Sequence, residues 1–165
     1  MLDSSPTISV DASLYDCKAS PELAKAFERR ATKIVCPESQ VLFKQGEQGD
    51  CVYLVLAGRV DLFLPLTLID GMGFQALSGA FVGLPAAFSD SRYSMTAVAG
   101  KDTEVAVMSR DKLCDLLAAD PVLAMDVLRI LAAETRAARI TIVEAEVGRR
   151  KQKRSRDMDF PASRA

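Results

Sequence analysis

The chain has 165 residues, of which 49% are hydrophobic and 26% are charged, a composition typical of one globular domain with a sizeable core. It contains no histidine and no tryptophan. The lack of histidine excludes Ser-His-Asp and Cys-His catalytic groups, zinc sites built on imidazole, and haem held by histidine. We therefore predict a protein that is not an enzyme, with no catalytic residues, no metal site and no cofactor beyond a small-molecule ligand.

Charge is distributed unevenly along the chain. The net charge is −1, but residues 149–165 carry seven Lys and Arg against two Asp, whereas residues 1–148 carry 14 against 20. A basic tail of this kind could contact nucleic-acid phosphates weakly without reading their sequence. The alternative interpretation is a solvated, disordered end.

The cysteines and the N-terminus favour a reducing, cytoplasmic environment. The cysteine spacings contain no CxxC pair, so the sequence predicts neither a zinc ribbon nor a disulfide framework. Residues 1–16 lack the basic and apolar regions of a signal peptide, and no apolar run reaches the roughly 18 residues that cross a membrane. The four cysteines are Cys17, Cys36, Cys51 and Cys114.

In chain order, the first predicted element is a helix that follows a loosely ordered segment at residues 1–20. Ser20 is followed by Pro21 and Glu22, the pattern of an N-cap, a proline in the first turn and an acid near the positive end of the helix dipole. We expect this helix to end near Arg30.

Residues 31–109 consist of short apolar runs separated by turn residues, which predicts a β domain. Residues 51–56 form an unbroken apolar run, as expected for a strand covered on both faces, and Ala57-Gly58 leads into the next strand. Six to eight strands at this spacing predict a jelly-roll barrel. The other predicted strands are 32–35, 41–43, 59–64, 66–69, 74–77, 93–99 and 103–108. The predicted core is Val41, Phe43, Val52, Leu54, Leu56, Val60, Leu62, Val105 and Val107.

Two helices are predicted after the β domain. Ser109 caps the first, over residues 110–119, and Asp120-Pro121 begins the second, which runs to about Gly148. Because the second helix is long and apolar on two sides, we predict that it pairs with a second copy of itself in a homodimer. The alternative is a long helix that folds back on its own domain. The predicted dimer interface follows Leu128, Leu131, Thr135, Ala138, Ile142 and Ala145.

The segment from Val41 to Val60 resembles the first half of a cyclic nucleotide-binding domain. That family has a Gly-acid-x-Gly-acid turn followed by an apolar strand with a tyrosine, a glycine turn and the next strand. The resemblance covers residues 20–147 and is nearest to the catabolite-activator branch, whose long helix makes the dimer. That branch continues into a helix-turn-helix domain, which we do not find here, so we expect no sequence-specific DNA binding by this chain alone. The residues in register are Gly46, Glu47, Gly49, Asp50, Tyr53, Gly58 and Val60.

The resemblance also implies where a ligand would bind. In this branch a phosphate-binding cassette begins with Gly, continues with a Glu that binds the ribose hydroxyl, and ends near an Arg that pairs with the cyclic phosphate. Gly83 matches the first glycine, Leu84 stands at the Glu position and Tyr93 at the Arg position, with Arg92 one residue early. The predicted ligand-binding residues are Gly83, Leu84, Arg92, Tyr93, Ser94 and Thr96.

The sequence thus predicts a bacterial, cytoplasmic, dimeric sensor or regulatory module with an altered cassette, which is not a high-affinity receptor for cyclic AMP. Two alternatives stay open: a genuine cyclic nucleotide-binding regulatory protein, and a structural barrel whose pocket is filled by its own side chains. The predicted segments are a loosely ordered lead-in (1–20), a cyclic nucleotide-binding-like jelly-roll domain (21–120), a dimerisation helix (121–148) and a disordered basic tail (149–165).

Overall fold

The computed structural model describes residues 18–63 and 73–158, and these ranges contain eight strands and four helices. None of these helices has the length and hydropathy that a membrane span requires. The strands are β1 (Thr32–Cys36), β2 (Val41–Phe43), β3 (Cys51–Ala57), β4 (Arg59–Phe63), β5 (Gly73–Leu77), β6 (Phe81–Val82), β7 (Thr96–Ala99) and β8 (Thr103–Ser109). The helices are α1 (Pro21–Glu28), α2 (Leu84–Phe88), α3 (Arg110–Ala119) and α4 (Pro121–Met158).

Helix α1 begins where the sequence predicts. The Ser20 hydroxyl accepts a hydrogen bond from the Leu23 N–H at 3.1 Å, which satisfies one of the free amides of the first turn. Leu23 and Phe27 are fully buried, and the Phe27 ring meets Phe81 edge to face with centroids 5.1 Å apart. This contact fixes α1 against β6, next to the predicted cassette.

The predicted jelly-roll architecture is confirmed, as two facing antiparallel sheets rather than a closed barrel. One sheet has the strand order β1-β8-β3-β6 and the other β2-β7-β4-β5. The glycine turn predicted between β3 and β4 is present: Gly58 has a φ of +70°, and a Cβ there would lie 2.6 Å from the Asp102 carbonyl oxygen. Only glycine fits this turn without displacing the backbone.

The core has two parts, one on each face of the first sheet. The inner part fills the space between the two sheets, and the outer part packs this sheet against all four helices. Strand β3 contributes to both, since Leu54 belongs to the outer part and Val55 to the inner. The unbroken apolar run of this strand therefore reflects burial on both faces, as predicted.

The predicted core is correct at most positions and wrong at Val41. Val41 is 43% exposed because it begins the short edge strand β2, which pairs irregularly with β7. Leu56 is only half-buried because the register shifts between Val55 and Ala57, and Val107 is also half-buried. The six predicted residues that are buried are Phe43, Val52, Leu54, Val60, Leu62 and Val105.

Two predicted boundaries need correction. The strand predicted from residue 93 begins only at Thr96. The backbone of Tyr93 pairs instead with Gly46 and Glu47, in the turn between β2 and β3. Helix α4 continues beyond Gly148 to Met158, so the helix end and disordered tail predicted there are wrong for residues 149–158. Most residues from 149 to 158 are Arg, Lys or Gln, which are good helix formers, and one internal glycine costs a helix only about 1 kcal/mol.

Several predictions fall on residues outside the described ranges. The strand predicted at 66–69, the last residues of the tail and most of the loosely ordered lead-in lie there. Lys18 and Ala19, the first described residues, lie against the turn between β5 and β6, where the Ala19 N–H donates to the Gly79 carbonyl at 2.8 Å.

Candidate ligand pocket

The predicted cassette is a short helical turn between β6 and β7. It begins at Gly83, which caps α2 with a φ of +91°. A Cβ at this position would lie 3.1 Å from both the Cys51 carbonyl oxygen and the Tyr93 ring. Glycine is therefore required both by the left-handed backbone and by the close approach of its neighbours.

Leu84 points into the outer core and away from the space beside the cassette. It is fully buried in the same cluster as Phe27 and Phe81, and it does not line the pocket described below. Pro85 and Ala86, the next residues of α2, do line that pocket. The position at which the resemblance expects a ribose-binding Glu is thus occupied by a core residue.

Tyr93 is held firmly in the inner core. Its ring is 5% exposed and stacks on Phe43 with centroids 3.8 Å apart and planes within 16° of each other. Its hydroxyl donates to the Cys51 carbonyl at 2.6 Å and accepts from the Cys51 N–H at 3.2 Å. Burial raises the pKa of this phenol, so it stays neutral and acts as a strut between the cassette and β3.

The remaining predicted site residues lie at the rim of the pocket or contact the turn between β2 and β3. Arg92 is exposed, and its guanidinium donates to the Gly46 carbonyl at 2.7 Å. The Thr96 hydroxyl accepts from the Gln45 N–H at 3.1 Å, while Ser94 is exposed and lines the pocket. Of the six predicted residues, the pocket brings together Gly83, Tyr93 and Ser94.

The pocket lies between the second sheet, the cassette and α4, and its volume is about 50 Å³. Small-molecule sites usually enclose roughly 300 Å³ or more. Most of its lining is apolar or aromatic. The lining residues are Phe43, Leu62, Phe81, Val82, Gly83, Pro85, Ala86, Tyr93, Ser94, Met95 and Glu134.

Glu134 is the charged residue among the lining positions that sequence reasoning missed. It comes from α4, its side chain is 8% exposed, and its Oε2 atom has no hydrogen-bond partner. Burial raises the pKa of this carboxyl to about 7. Its spacing offered a signal, because Glu134 follows the buried Val127 and Ile130 by seven and four residues and so shares their helix face.

The residues of the predicted dimer interface divide between two faces of α4. Leu128 is 56% exposed and Thr135 is exposed, whereas Leu131 packs against the outer core of its own chain. The side chains of Ala138, Ile142 and Ala145 lie outside the described part of the chain. Among residues 18–63 and 73–158, no group of three acidic or cysteine side chains is arranged to hold a metal ion.

Comparison with known proteins identifies the family. The family model of the cyclic nucleotide-binding domain matches residues 33–120, which span both sheets, the cassette and α3. The chain belongs to the cyclic nucleotide-binding domain family. A search of curated protein sequences finds no match.

This cyclic nucleotide-binding domain is similar in structure to several solved bacterial proteins. It is similar to the Thermus thermophilus catabolite activator protein at 25% identity and a TM-score of 0.64, over 74% of this chain and 58% of that one. A protein from a cyclic-GMP-dependent signalling pathway of bacterial phytopathogenesis matches at 25% identity and 0.63, over 70% and 93% of the two chains. The c-di-GMP responsive regulator CLP of Xanthomonas campestris shares the fold at 20% identity and 0.60, over 79% and 64%. The chain therefore spans little more than half the length of the Thermus activator.

Proposed function

We propose that this cyclic nucleotide-binding domain is a non-catalytic, cytoplasmic, homodimeric regulatory module that is not a high-affinity receptor for cyclic AMP. The observation that carries the proposal is the buried and fully engaged side chain of Tyr93. It stands at the position where the resemblance expects the phosphate-binding Arg, and its ring and hydroxyl are both engaged by Phe43 and Cys51. A neutral phenol cannot replace the bidentate, charge-assisted contact that a guanidinium makes with phosphate.

The other cassette positions support the same proposal. Leu84 offers no acceptor to a ribose hydroxyl and is directed into the core. Arg92 is bound to the Gly46 carbonyl and does not line the pocket. The binding groups that the family resemblance implies for the phosphate and the ribose are thus missing at the pocket.

The regulatory part of the proposal depends on α4. This helix contributes Glu134 to the pocket, while Met125 and Leu128 are exposed on another face. An exposed apolar face on a long helix favours pairing with a second copy of the chain. The same helix would then link the contents of the pocket to the dimer interface.

A second candidate function is a structural module whose pocket needs no ligand. The volume of about 50 Å³ and the stacked pair of Phe43 and Tyr93 favour it, because side chains already occupy much of the space between the sheets. The cationic-ligand experiment described below separates this candidate from a sensor.

Calorimetric titration of the unmodified protein with cyclic AMP and cyclic GMP tests the proposal. We expect dissociation constants well above 100 µM, because the loss of the Arg and Glu contacts removes roughly 3–5 kcal/mol, or two to four orders of magnitude in affinity. Linear AMP, which lacks the cyclic phosphate, serves as the control ligand. A dissociation constant near or below about 10 µM for either cyclic nucleotide would show a genuine receptor instead.

A further inference from the structure

Glu134 is the feature of the pocket that the missing phosphate site does not explain. Its side chain is more than nine-tenths buried, it lines the pocket, and its Oε2 atom has no hydrogen-bond partner. A carboxylate removed from water without a compensating partner destabilises the fold. Among residues 18–63 and 73–158, no donor reaches this oxygen, which leaves the carboxyl open to a ligand in the pocket.

The surroundings of Glu134 favour a positively charged group over a negative one. The rings of Phe43, Phe81 and Tyr93 line the same pocket, together with the thioether side chain of Met95. Aromatic rings attract cations through their quadrupole, and apolar walls hold alkyl groups. An anion would instead be repelled by the Glu134 carboxylate and would otherwise contact mostly apolar side chains.

No lysine or arginine lines the pocket within the described part of the chain. Arg92 is exposed and donates to the Gly46 carbonyl. The Tyr93 hydroxyl already exchanges two hydrogen bonds with Cys51, and Ser94 is the other polar side chain of the lining. The carboxyl of Glu134 therefore sets the charge of the pocket.

We propose that the pocket binds a small primary alkylammonium, with the ammonium paired to the Glu134 carboxylate and the alkyl chain lying against Phe43 and Met95. The inference rests on the proposed function, in which the pocket has no phosphate site. Its volume of about 50 Å³ corresponds to about four water-sized spheres, which sets a ligand of roughly four or five non-hydrogen atoms. Because Glu134 belongs to α4, such a ligand acts directly on the helix that we propose to dimerise.

The probe is isobutylammonium chloride, titrated into the uniformly ¹⁵N-labelled protein at pH 8. The amide signals of Gly83, Met95 and Glu134 report binding. This pH is chosen because burial raises the pKa of Glu134 to about 7 and the carboxyl must be ionised. We expect a dissociation constant on the order of 1 mM, as befits so small a ligand. Isobutanol, which is neutral and of equal size, and isobutyrate, which is negative and one oxygen larger, should bind at least ~10-fold more weakly.

Two variants assign the effect to the carboxylate. Glu134→Gln keeps the shape of the side chain and should weaken isobutylammonium binding at least ~10-fold. Glu146→Gln removes an exposed carboxylate from the same helix and should leave the affinity unchanged. Equal binding of isobutylammonium to Glu134→Gln, equal binding of isobutanol to the unmodified protein, or no binding at all would each overturn the proposal.

The cyclic nucleotide titration keeps the two proposals apart. Tight binding of cyclic AMP would overturn both, because it would reveal an anion site in the pocket. Weak cyclic AMP binding with no response to isobutylammonium would overturn the cationic ligand alone and would favour the structural module.

Discussion

At the scale of single residues, three side chains in and beside the pocket carry the proposed function and the proposed ligand. Tyr93 forms part of the inner core, Leu84 forms part of the outer core, and Glu134 brings a carboxyl into an apolar space. Their environments differ: the Tyr93 ring is stacked, the Leu84 side chain is fully buried, and the Glu134 carboxyl has an oxygen without a hydrogen-bond partner. Each can therefore be tested by one substitution.

Glu134 should make the stability of the protein fall as the pH rises. Its pKa is raised from 4.5 to about 7 in the folded protein, so the folded state binds more protons between these values. Its contribution to stability is fully present below pH 4.5 and is lost as the pH rises through 7. Urea unfolding should give a free energy lower by up to about 3 kcal/mol at pH 8 than at pH 5, relative to the same difference in Glu134→Gln.

The control for this prediction is Glu146→Gln, which should keep the pH profile of the unmodified protein because Glu146 is exposed on the same helix. Parallel profiles for the unmodified protein and Glu134→Gln between pH 5 and pH 8 would show that Glu134 is ionised alike in the folded and unfolded states.

Leu84→Glu should destabilise the fold and leave the pocket without a ribose-binding group. The side chain is fully buried among apolar residues, so a carboxylate there costs about 3–5 kcal/mol of unfolding free energy. Leu84→Met, which conserves volume and polarity, should cost less than about 1.5 kcal/mol. Thermal and urea unfolding measure both, and a stable Leu84→Glu protein would mean that this side chain can turn away from the core.

At the scale of elements, the position of α4 depends on a link to the start of α1. The Ser20 hydroxyl caps α1 and also donates to Asp126 on α4 at 2.6 Å. Asp126 pairs in addition with Arg129 at 2.9 Å. One hydroxyl therefore satisfies a helix end and links the start of α1 to α4.

Ser20→Ala should lower the free energy of unfolding by about 2–3 kcal/mol. It removes an N-cap, worth about 1 kcal/mol, and a hydrogen bond to a carboxylate, worth about 1.5 kcal/mol or more. Ser109→Ala is the matched control, because Ser109 caps α3 through the Lys112 N–H at 3.4 Å, within its own helix, and so its removal tests a cap alone. We expect about 1 kcal/mol or less from that change in urea unfolding. Equal losses from the two substitutions would show that the link to Asp126 contributes nothing.

At the scale of the whole molecule, one face of α4 is buried against the domain and another is exposed. Val127 and Ile130 pack on the outer core, and Met125 and Leu128 are exposed. The sequence-based seam included both Leu128 and Leu131, but Leu131 already packs against its own domain. A test of the proposed dimer must therefore change the exposed face only.

Leu128→Glu should give a monomer that keeps the fold. The substitution places a charge in the proposed interface, where burial without a partner costs several kcal/mol, yet it is harmless on an exposed face. Light scattering measures the mass, and circular dichroism measures the fold. Leu77→Glu, an equivalent change on β5 opposite Arg59, is the control and should remain dimeric.

Two results would contradict the dimer prediction. If the unmodified protein is a monomer, the proposed homodimer is wrong. If Leu128→Glu dimerises with the same affinity as the unmodified protein, the interface lies on another surface.

The sequence by itself determined what depends on near neighbours along the chain. The caps at Ser20 and Ser109, the glycine turn at Gly58 and the double-sided strand β3 follow from residue type and spacing, whereas Gly83 was located through the family resemblance. These features are local, since a cap acts over three residues and a turn over four. The long helix could be predicted for the same reason. The jelly roll, in which β1 pairs with the distant β8, was predicted from the number and spacing of its strands, and the family resemblance located the cassette.

Only the tertiary structure decided what the cassette faces. Tyr93 reaches its partners Phe43 and Cys51 from more than 40 positions away, and Glu134 enters the pocket from a helix a further 41 residues along the chain. The direction of Leu84 does not follow from local periodicity, and the spacing that places Glu134 on the helix face of Val127 and Ile130 does not show what that face contacts, because both depend on how α1 and α4 pack on the first sheet. Docking of distant elements sets which side chains share a cavity, and here it places the Glu134 carboxyl in the pocket beside the cassette.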